Sequence, residues 1–185
     1  IPASSGDALI VEDDGTGLTR EEFHSRWMRL GYDRLKHQSR KVTFPEGRDG
    51  SRLAYGRKGI GRHGLLCFDD EYSVKTTSGG SESLFVITTK DEKQPFFLKA
   101  ESIIPGVEGH GTRLDVVVSR NLPNPDEILE VISARFLHDP QFTIFINGRS
   151  VPLTKHQGLI DTTTLVVEPD IELTVLFIDT SKAGR

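Results

Sequence analysis

The sequence contains very little cysteine and no long hydrophobic run, and both absences narrow the class of protein. Its single cysteine, Cys67, excludes an internal disulfide framework and is typical of the reducing cytoplasm. No apolar run approaches the roughly 18 residues that a membrane-spanning helix needs. The first residues also lack the basic and apolar regions of a signal peptide. We therefore expect a cytoplasmic protein with no membrane partner.

Several common enzyme and metal patterns are missing as well. The six histidines are scattered, and neither H-E-x-x-H nor a Cys/His cluster occurs, so we predict no metal site. The run "EDDGTG" does not have the spacing of a calcium loop, and G-x-S-x-G, the signature of a serine hydrolase, does not occur. The net charge of -4 argues against broad binding to nucleic acid, although the basic run "RLKHQSRK" leaves a local contact open.

Glycine and positive charge are concentrated in one stretch, "YGRKGIGRHG", residues 55–64. Because glycine loses more conformational freedom on folding than any other residue, such a cluster destabilises a fold unless bare backbone is needed. Backbone N–H groups at the start of a helix, beside positive charge, favour a bound anion. The stretch therefore predicts a site for a phosphate chain. A flexible surface loop is the alternative interpretation.

Two familiar phosphate-binding patterns do not fit this stretch. "GIGRHG" matches G-x-G-x-x-G in letters, but the dinucleotide fingerprint needs a strand directly before it, within a βαβ unit. Here a long polar segment precedes it and strands of antiparallel type follow. The P-loop requires Lys followed by Ser or Thr where this chain has Arg62 and His63. The kind of phosphate site must be decided by other segments.

The first third of the chain predicts one strand, one helix and one loop. Residues 8–11 are apolar and lead into a carboxylate-rich turn, which indicates a short buried strand. Thr19 and Glu22 have the spacing of a capping box. The helix that they open is predicted to end at Gly31 and to have an apolar face formed by Phe23, Trp27 and Leu30. Residues 32–54 are polar and predict a long mobile loop.

The remaining segments predict mainly strands. "EYSVKTT", "SLFVITT" and "FFLKAES" alternate and are separated by turn residues, as in an antiparallel meander. "NPDEILEVISARFLH" predicts an amphipathic helix capped by Asn124, and "LLCF" a short buried helix that holds Cys67 in the core. These elements predict a two-layer α/β sandwich over residues 1–150. Residues 151–185 would form its final strands or begin a following domain.

Three motifs occur in a fixed order: Asp13-x-Gly15-x-Gly17 after a strand, then the glycine cluster, then "GHGT" with Thr112 before another strand. This order resembles the Bergerat ATP-binding fold, the GHKL superfamily of gyrase B, the ninety-kilodalton heat-shock chaperones, histidine kinases and MutL. The segment "RWMRLGYDRLKHQSRK" with the cluster is most similar to the chaperone-like and MORC-like ATPases. The resemblance covers roughly residues 8–118 and implies a mixed, mainly antiparallel sheet covered by helices on one face.

The resemblance implies an adenine site formed by Asp13, Gly15, Gly17 and Thr112. A carboxylate at the end of a strand can accept a hydrogen bond from the exocyclic amine of adenine, and its charge strengthens that bond. Guanine has a carbonyl at that position, so two acceptors would meet without a donor. The glycines let the backbone approach the flat base, and the threonine hydroxyl completes the polar contacts. Asp14 points to the opposite face of the strand, which argues against an acid/base pair.

The resemblance also implies a lid that holds the phosphates. Backbone N–H groups of the glycine cluster would contact the phosphate oxygens, and basic side chains would neutralise their charge. Asp33 stands where the related turn has serine, while a lysine follows at the expected position. The residues assigned to this role are Lys36, Arg57, Lys58, Gly59, Ile60, Gly61, Arg62 and Gly64.

The resemblance does not assign any catalytic residue in this chain. Members of the superfamily carry a helix before the D-x-G-x-G strand, with a Glu that activates water and an Asn that holds Mg²⁺. No E-x-x-x-N spacing precedes Asp13, and Glu127 and Glu130 belong to a later helix. We therefore expect this chain to bind ATP or ADP without hydrolysing it, with Mg²⁺ bound only in the full-length protein.

The function that the resemblance implies is that of an ATP-binding domain in a larger chaperone-like or MORC-like ATPase. Nucleotide would close the lid and drive formation of a homodimer. Two alternatives stay open: an interaction or scaffold module that keeps the fold without hydrolysing ATP, and the catalytic domain of a histidine kinase. Nucleic acid as a partner has no support beyond the basic run.

Overall fold

The structure is a computed structural model that describes residues 1–54, 59, 61–90, 94–135, 143–151, 159–168 and 171–178. The strands are β1 (Ala8–Asp13), β2 (Lys41–Thr43), β3 (Ser51–Leu53), β4 (Glu71–Ser78), β5 (Ser81–Thr88), β6 (Phe97–Pro105), β7 (Gly111–Val117), β8 (Phe145–Ile146), β9 (Arg149–Ser150), β10 (Leu159–Glu168) and β11 (Ile171–Ile178). The helices are α1 (Arg20–Glu22), α2 (Arg34–His37) and α3 (Pro125–Arg135), with a π-helical turn at Phe23–Trp27 and a 3₁₀ helix at Gly61–Cys67.

Five strands pair into one antiparallel sheet in the order β1-β7-β4-β5-β6. The predicted meander is confirmed, because β4, β5 and β6 are consecutive neighbours. Gly79 and Gly80 connect β4 to β5, and both have positive φ, as a tight hairpin with the right-handed twist of its strands requires. The mixed α/β fold class with a mainly antiparallel sheet is therefore confirmed.

One face of this sheet carries the core. Val74 lies opposite Phe85 and Leu114 in the neighbouring strands, so these side chains share a face. The ring of Phe23, from the π-helical turn, stacks on Phe85 with 3.6 Å between centroids, and both side chains are fully buried. Burial of aromatic side chains of this size contributes about 2 to 3 kcal/mol each. The stack therefore fixes the first helical segment on this face.

The helix that begins at α1 starts as predicted but ends early. The capping box is confirmed: Thr19 Oγ1 accepts from the Glu22 amide, and the Glu22 carboxylate accepts from the Thr19 amide. The backbone then widens into a π-helical turn, in which the Met28 amide donates to Phe23 O at 3.1 Å. Leu30 lies beyond this turn and is 52% exposed, so its predicted place on the apolar face is wrong.

Residues 32–54 contain regular structure where the sequence predicts only a loop. Asp33 caps α2, because its Oδ1 accepts from the Leu35 amide at 3.0 Å. Strands β2 and β3 then pair as a short antiparallel hairpin. The prediction of an irregular loop is wrong here. The predicted burial of Cys67 is also wrong, since its side chain is exposed at the end of the 3₁₀ helix while Leu65 is buried.

The chain divides into two compact units, Pro2–Leu122 and Pro123–Arg185 together with Ile1. In the second unit, Asn124 Oδ1 accepts from the Asp126 amide, which confirms the predicted cap of α3. Strands β8 and β9 form a tight hairpin, and β10 and β11 pair as a longer antiparallel ribbon. The predicted domain boundary after residue 150 stays a prediction. None of the described helices has the length and hydropathy needed to cross a membrane.

Candidate functional site

A row of four polar residues crosses the core face of the sheet at one end. Asp13 in β1 lies opposite Thr112 in β7, which lies opposite Thr76 in β4, which lies opposite Ser83 in β5. Because directly opposed residues project to the same face, the carboxylate and the hydroxyls are on the side that carries the core. Two of the predicted motifs, separated by almost a hundred residues, are therefore neighbours in space.

The turn after β1 orients the Asp13 carboxylate. Its Oδ1 accepts a hydrogen bond from the Gly15 amide at 2.8 Å, a local turn that aspartate favours. The Gly15 carbonyl in turn lies 2.9 Å from Nδ1 of His110. A carbonyl can only accept, so the imidazole carries a proton on Nδ1 and donates it. His110 thus connects the "GHGT" segment to the D-x-G-x-G turn. The sequence did not predict this contact.

Thr76 joins the same two segments from a third strand. Its hydroxyl accepts from the Leu18 amide at 2.8 Å and donates to Gly111 O at 3.2 Å. The hydroxyl of Thr112 lies 3.5 Å away. Thr76 is only 1% exposed, so these bonds are shielded from water. The Thr76 hydroxyl uses its donor and one acceptor position to hold the D-x-G-x-G turn and the "GHGT" segment together.

Two glycines allow the turns to approach so closely. Gly17 has φ +65°, and a Cβ at this position would overlap the carbonyl oxygen of Thr77. Gly111 has φ +128°, and a Cβ there would lie 2.5 Å from Asp13 O. Both positions combine a left-handed backbone with contact against a neighbouring strand, which an L-residue with a side chain cannot satisfy. Gly17 and Gly111 are therefore required by geometry.

The predicted phosphate residues are only partly within the described structure. Arg57, Lys58 and Ile60 lie outside the described residues. Gly59 has φ +65°, while Gly61 and Gly64 belong to the 3₁₀ helix and have no atom within 4 Å of a hypothetical Cβ. Lys36 is an exposed residue of α2. The assignment of this set to phosphate binding therefore stays a prediction.

Arg62, a member of the predicted set, contacts the segment 26–32. Its guanidinium donates to Arg26 O and lies 5.8 Å from the Trp27 ring centre and 5.7 Å from that of Tyr32. Burial lowers the pKa of the guanidinium below its usual value. Cation–π contact with two aromatic rings compensates part of that burial. The contacts join the glycine-rich segment to the helical segment before it.

His63 completes this junction through a closed set of hydrogen bonds. Its Nε2 lies 3.1 Å from Trp27 O and its Nδ1 lies 2.8 Å from the Tyr72 hydroxyl. Trp27 Nε1 donates to the same hydroxyl at 3.0 Å. Since a carbonyl only accepts, Nε2 carries the proton and Nδ1 accepts from Tyr72. The arrangement fits a neutral imidazole, and burial raises the pKa of the Tyr72 hydroxyl to about 12.

We expect this junction to weaken in acid. Burial, with a further contribution from the charge of Arg62, holds the pKa of His63 below its usual 6.5. Below pH 6.5 His63 therefore takes up a proton more readily in the unfolded chain than in the folded one. Its contribution to the free energy of unfolding is complete above pH 6.5 and is lost as the pH falls below that value. Urea unfolding at pH 8 and pH 5 measures the effect. The loss between the two pH values should be larger in the unsubstituted chain than in His63→Gln, and equal losses would contradict the assignment.

A shallow groove of about 290 Å³ lies elsewhere on the same sheet and presents several carboxylates. Two of those carboxylates form ion pairs, Glu71 with Lys99 at 2.6 Å and Asp115 with Arg113 at 2.9 Å. The third, Asp69, accepts hydrogen bonds from the Asp70 and Glu71 amides. Within the described ranges, no group of three or more His, Cys, Asp or Glu side chains is arranged to hold a metal ion. The row that begins at Asp13 remains the better candidate for a ligand site.

Comparison with known proteins identifies the family. The model of the histidine kinase-, DNA gyrase B- and HSP90-like ATPases matches residues 2–102, more than half of the chain. The chain belongs to this ATPase family. The match contains the D-x-G-x-G turn, the glycine cluster and strands β4 and β5, so it confirms the GHKL superfamily to which the sequence motifs pointed. Among curated proteins, none matches this chain.

One solved structure has the same fold as this chain. The ATPase region of topoisomerase II from Saccharomyces cerevisiae is 15% identical, with a TM-score of 0.52 over 91% of this chain and 48% of that one. The ATPase and transducer domains of DNA topoisomerase II from Balamuthia mandrillaris are 14% identical, with a TM-score of 0.46 over 78% of this chain and 39% of that one. At this identity the first likeness shows the fold alone. The chain spans about half the length of that relative.

Proposed function

We propose that this chain is an adenine-nucleotide-binding domain of a larger ATPase, with Asp13 and Thr112 as the residues that contact the base. The observation that carries the proposal is their direct opposition in β1 and β7, on the core face and beside two glycine turns. A charged acceptor and a hydroxyl match the donor and acceptor edge of adenine. ATP-binding is also the common property of the family to which the chain belongs.

The chemistry of this set favours adenine over guanine. The exocyclic amine of adenine donates to the Asp13 carboxylate, whose second oxygen is already oriented by the Gly15 amide. The carbonyl of guanine would face that carboxylate and leave two acceptors without a donor. The Thr112 hydroxyl can rotate to donate or accept at the ring nitrogen next to the amine. The residues present therefore fit the base of ATP or ADP.

The glycine-rich segment would serve as the lid over the phosphates. Gly61 begins the 3₁₀ helix, where the first backbone N–H groups have no partner within the helix and could face a phosphate oxygen. Lys36, Arg57, Lys58 and Arg62 would supply positive charge. In the larger chaperone-like or MORC-like protein, nucleotide would close this lid and favour association of two copies, with Mg²⁺ bound alongside the phosphates.

Thermal unfolding with and without nucleotide tests the proposal. ADP at ten times its Kd stabilises a binding-competent fold by about 1.4 kcal/mol. For a chain of this length, that corresponds to a rise in melting temperature of about 3 to 6 °C. GDP at the same concentration is the matched control and should give a smaller rise. No rise with ADP would contradict nucleotide binding and favour a scaffold module.

A further inference from the structure

Thr76 is placed to control the adenine site although neither of the two base-contacting motifs contains it. It lies in β4, the strand next to β7 on the side away from β1, and its side chain is 1% exposed. Leu18 directly follows the D-x-G-x-G turn, and Gly111 directly precedes Thr112. Thr76 bonds to both of these neighbours, with distances of 2.8 and 3.2 Å.

A single hydroxyl therefore joins the segment after the D-x-G-x-G turn to the residue before Thr112. One lone pair receives the Leu18 N–H, and the hydroxyl hydrogen points to Gly111 O. If the hydroxyl is removed, a donor on one turn and an acceptor on the other lose their common partner. Buried groups left without a partner are costly, so the turns would shift to find water or other partners. Such a shift moves Gly17 and Thr112 relative to each other.

We propose that Thr76 is a positioning residue of the adenine site, which holds the Gly17 turn and the Thr112 strand end at the separation that admits adenine. The inference rests on the proposed function. It goes beyond it because the residue acts through Leu18 and Gly111 rather than by touching the ligand. Loss of the Thr76 hydroxyl should lower the affinity for ADP. It should lower the selectivity for adenine over guanine in particular, because displaced donors and acceptors form poorer hydrogen bonds with the base.

Calorimetric titration of ADP and GDP into three variants tests the inference. Thr76→Val keeps the shape of the side chain and removes the hydroxyl, whereas Thr76→Ser keeps the hydroxyl. Thr88→Val is the matched structural control, because Thr88 is also a buried strand threonine whose hydroxyl accepts a backbone N–H, that of Lys90 at 3.3 Å. At a temperature where all chains are folded, Thr76→Val should bind ADP about tenfold more weakly and have a smaller ADP-to-GDP affinity ratio.

The serine variant should stay within about twofold of the unsubstituted chain, and Thr88→Val should change stability without changing either affinity. An unchanged affinity and ratio in Thr76→Val would overturn the inference while the proposed function stands. Failure of the unsubstituted chain to bind ADP would overturn both. If Thr76→Val does not fold, Thr76→Cys decides, because its thiol is a weak donor: a reduced ratio supports the positioning role and an unchanged ratio rejects it.

Discussion

Replacement of Asp13 by Asn is expected to lower the affinity for ADP by roughly 30- to 1,000-fold while the fold stays intact. The amide places an NH₂ group opposite the exocyclic amine of adenine, so a charge-assisted bond is replaced by two opposed donors. The loss of such a bond in a buried complex costs about 2 to 4 kcal/mol of binding free energy. The fold survives because the remaining amide oxygen still accepts the Gly15 N–H that Asp13 now accepts at 2.8 Å.

The neighbouring residue supplies the control for this experiment. Asp14 has a side chain that is 86% exposed, and it pairs with Arg48 at 3.4 Å on the surface. Asp14→Asn removes the same unit of charge one residue away, and we expect it to leave ADP affinity nearly unchanged. Titration calorimetry gives the affinities, and circular dichroism checks the fold. If Asp14→Asn lost the binding instead, the two carboxylates would have to exchange roles.

Replacement of Gly17 by Ala should destabilise the domain by about 3 kcal/mol. A left-handed backbone alone costs an alanine about 1 kcal/mol. In addition, its Cβ would overlap the carbonyl oxygen of Thr77 and lie 3.1 Å from the Thr76 hydroxyl, so β4 or the turn must move. Because this turn forms part of the proposed adenine site, we expect nucleotide binding to fall with stability.

Gly80→Ala separates the cost of the backbone conformation from the cost of the steric overlap with β4. Gly80 has φ +75°, close to that of Gly17, but no atom lies within 4 Å of its hypothetical Cβ. Urea unfolding should therefore show a loss of about 1 kcal/mol in this variant, the cost of the backbone conformation alone. Equal losses at the two positions would mean that the close approach of Gly17 to β4 carries no free energy.

The features predicted correctly from the sequence depend on near neighbours along the chain. The capping box joins Thr19 to Glu22, and the cap of α3 joins Asn124 to Asp126. In both cases the partners are two or three residues apart, so the pattern of residue types is sufficient to predict the bond. Alternation in "EYSVKTT" and "SLFVITT" likewise predicts two strands that pair through a short turn.

The predictions that failed depend on partners that the local pattern does not contain. Leu30 continues the helical spacing from Phe23, but the stack of Phe23 on Phe85 and the π-helical turn end the helix before it. Residues 32–54 hold a short hairpin of β2 and β3 whose three-residue strands show no hydrophobic alternation, so the local pattern does not reveal their pairing.

The role of Thr76 in the candidate site was also missed, because its partners do not belong to the local sequence pattern. Its partners are 58 and 35 residues away, so nothing in the local sequence shows that it, rather than its neighbour Thr77, joins these segments. By contrast, the order of the D-x-G-x-G, glycine-rich and G-T motifs indicates the family, since each motif is short and contiguous. Assignment of the residues that support those motifs requires the strand register.

The junction around Trp27 gives the protein a built-in optical reporter. Trp27 is the only tryptophan in the chain, and its ring lies 6.4 Å from the His63 ring and 5.8 Å from the Arg62 guanidinium. Both neighbours belong to the glycine-rich segment. Any displacement of that segment would move a cation and an imidazole away from the indole, which alters the wavelength and intensity of its emission. Movement of the segment can thus be followed in an unlabelled protein, in real time, by stopped-flow fluorescence.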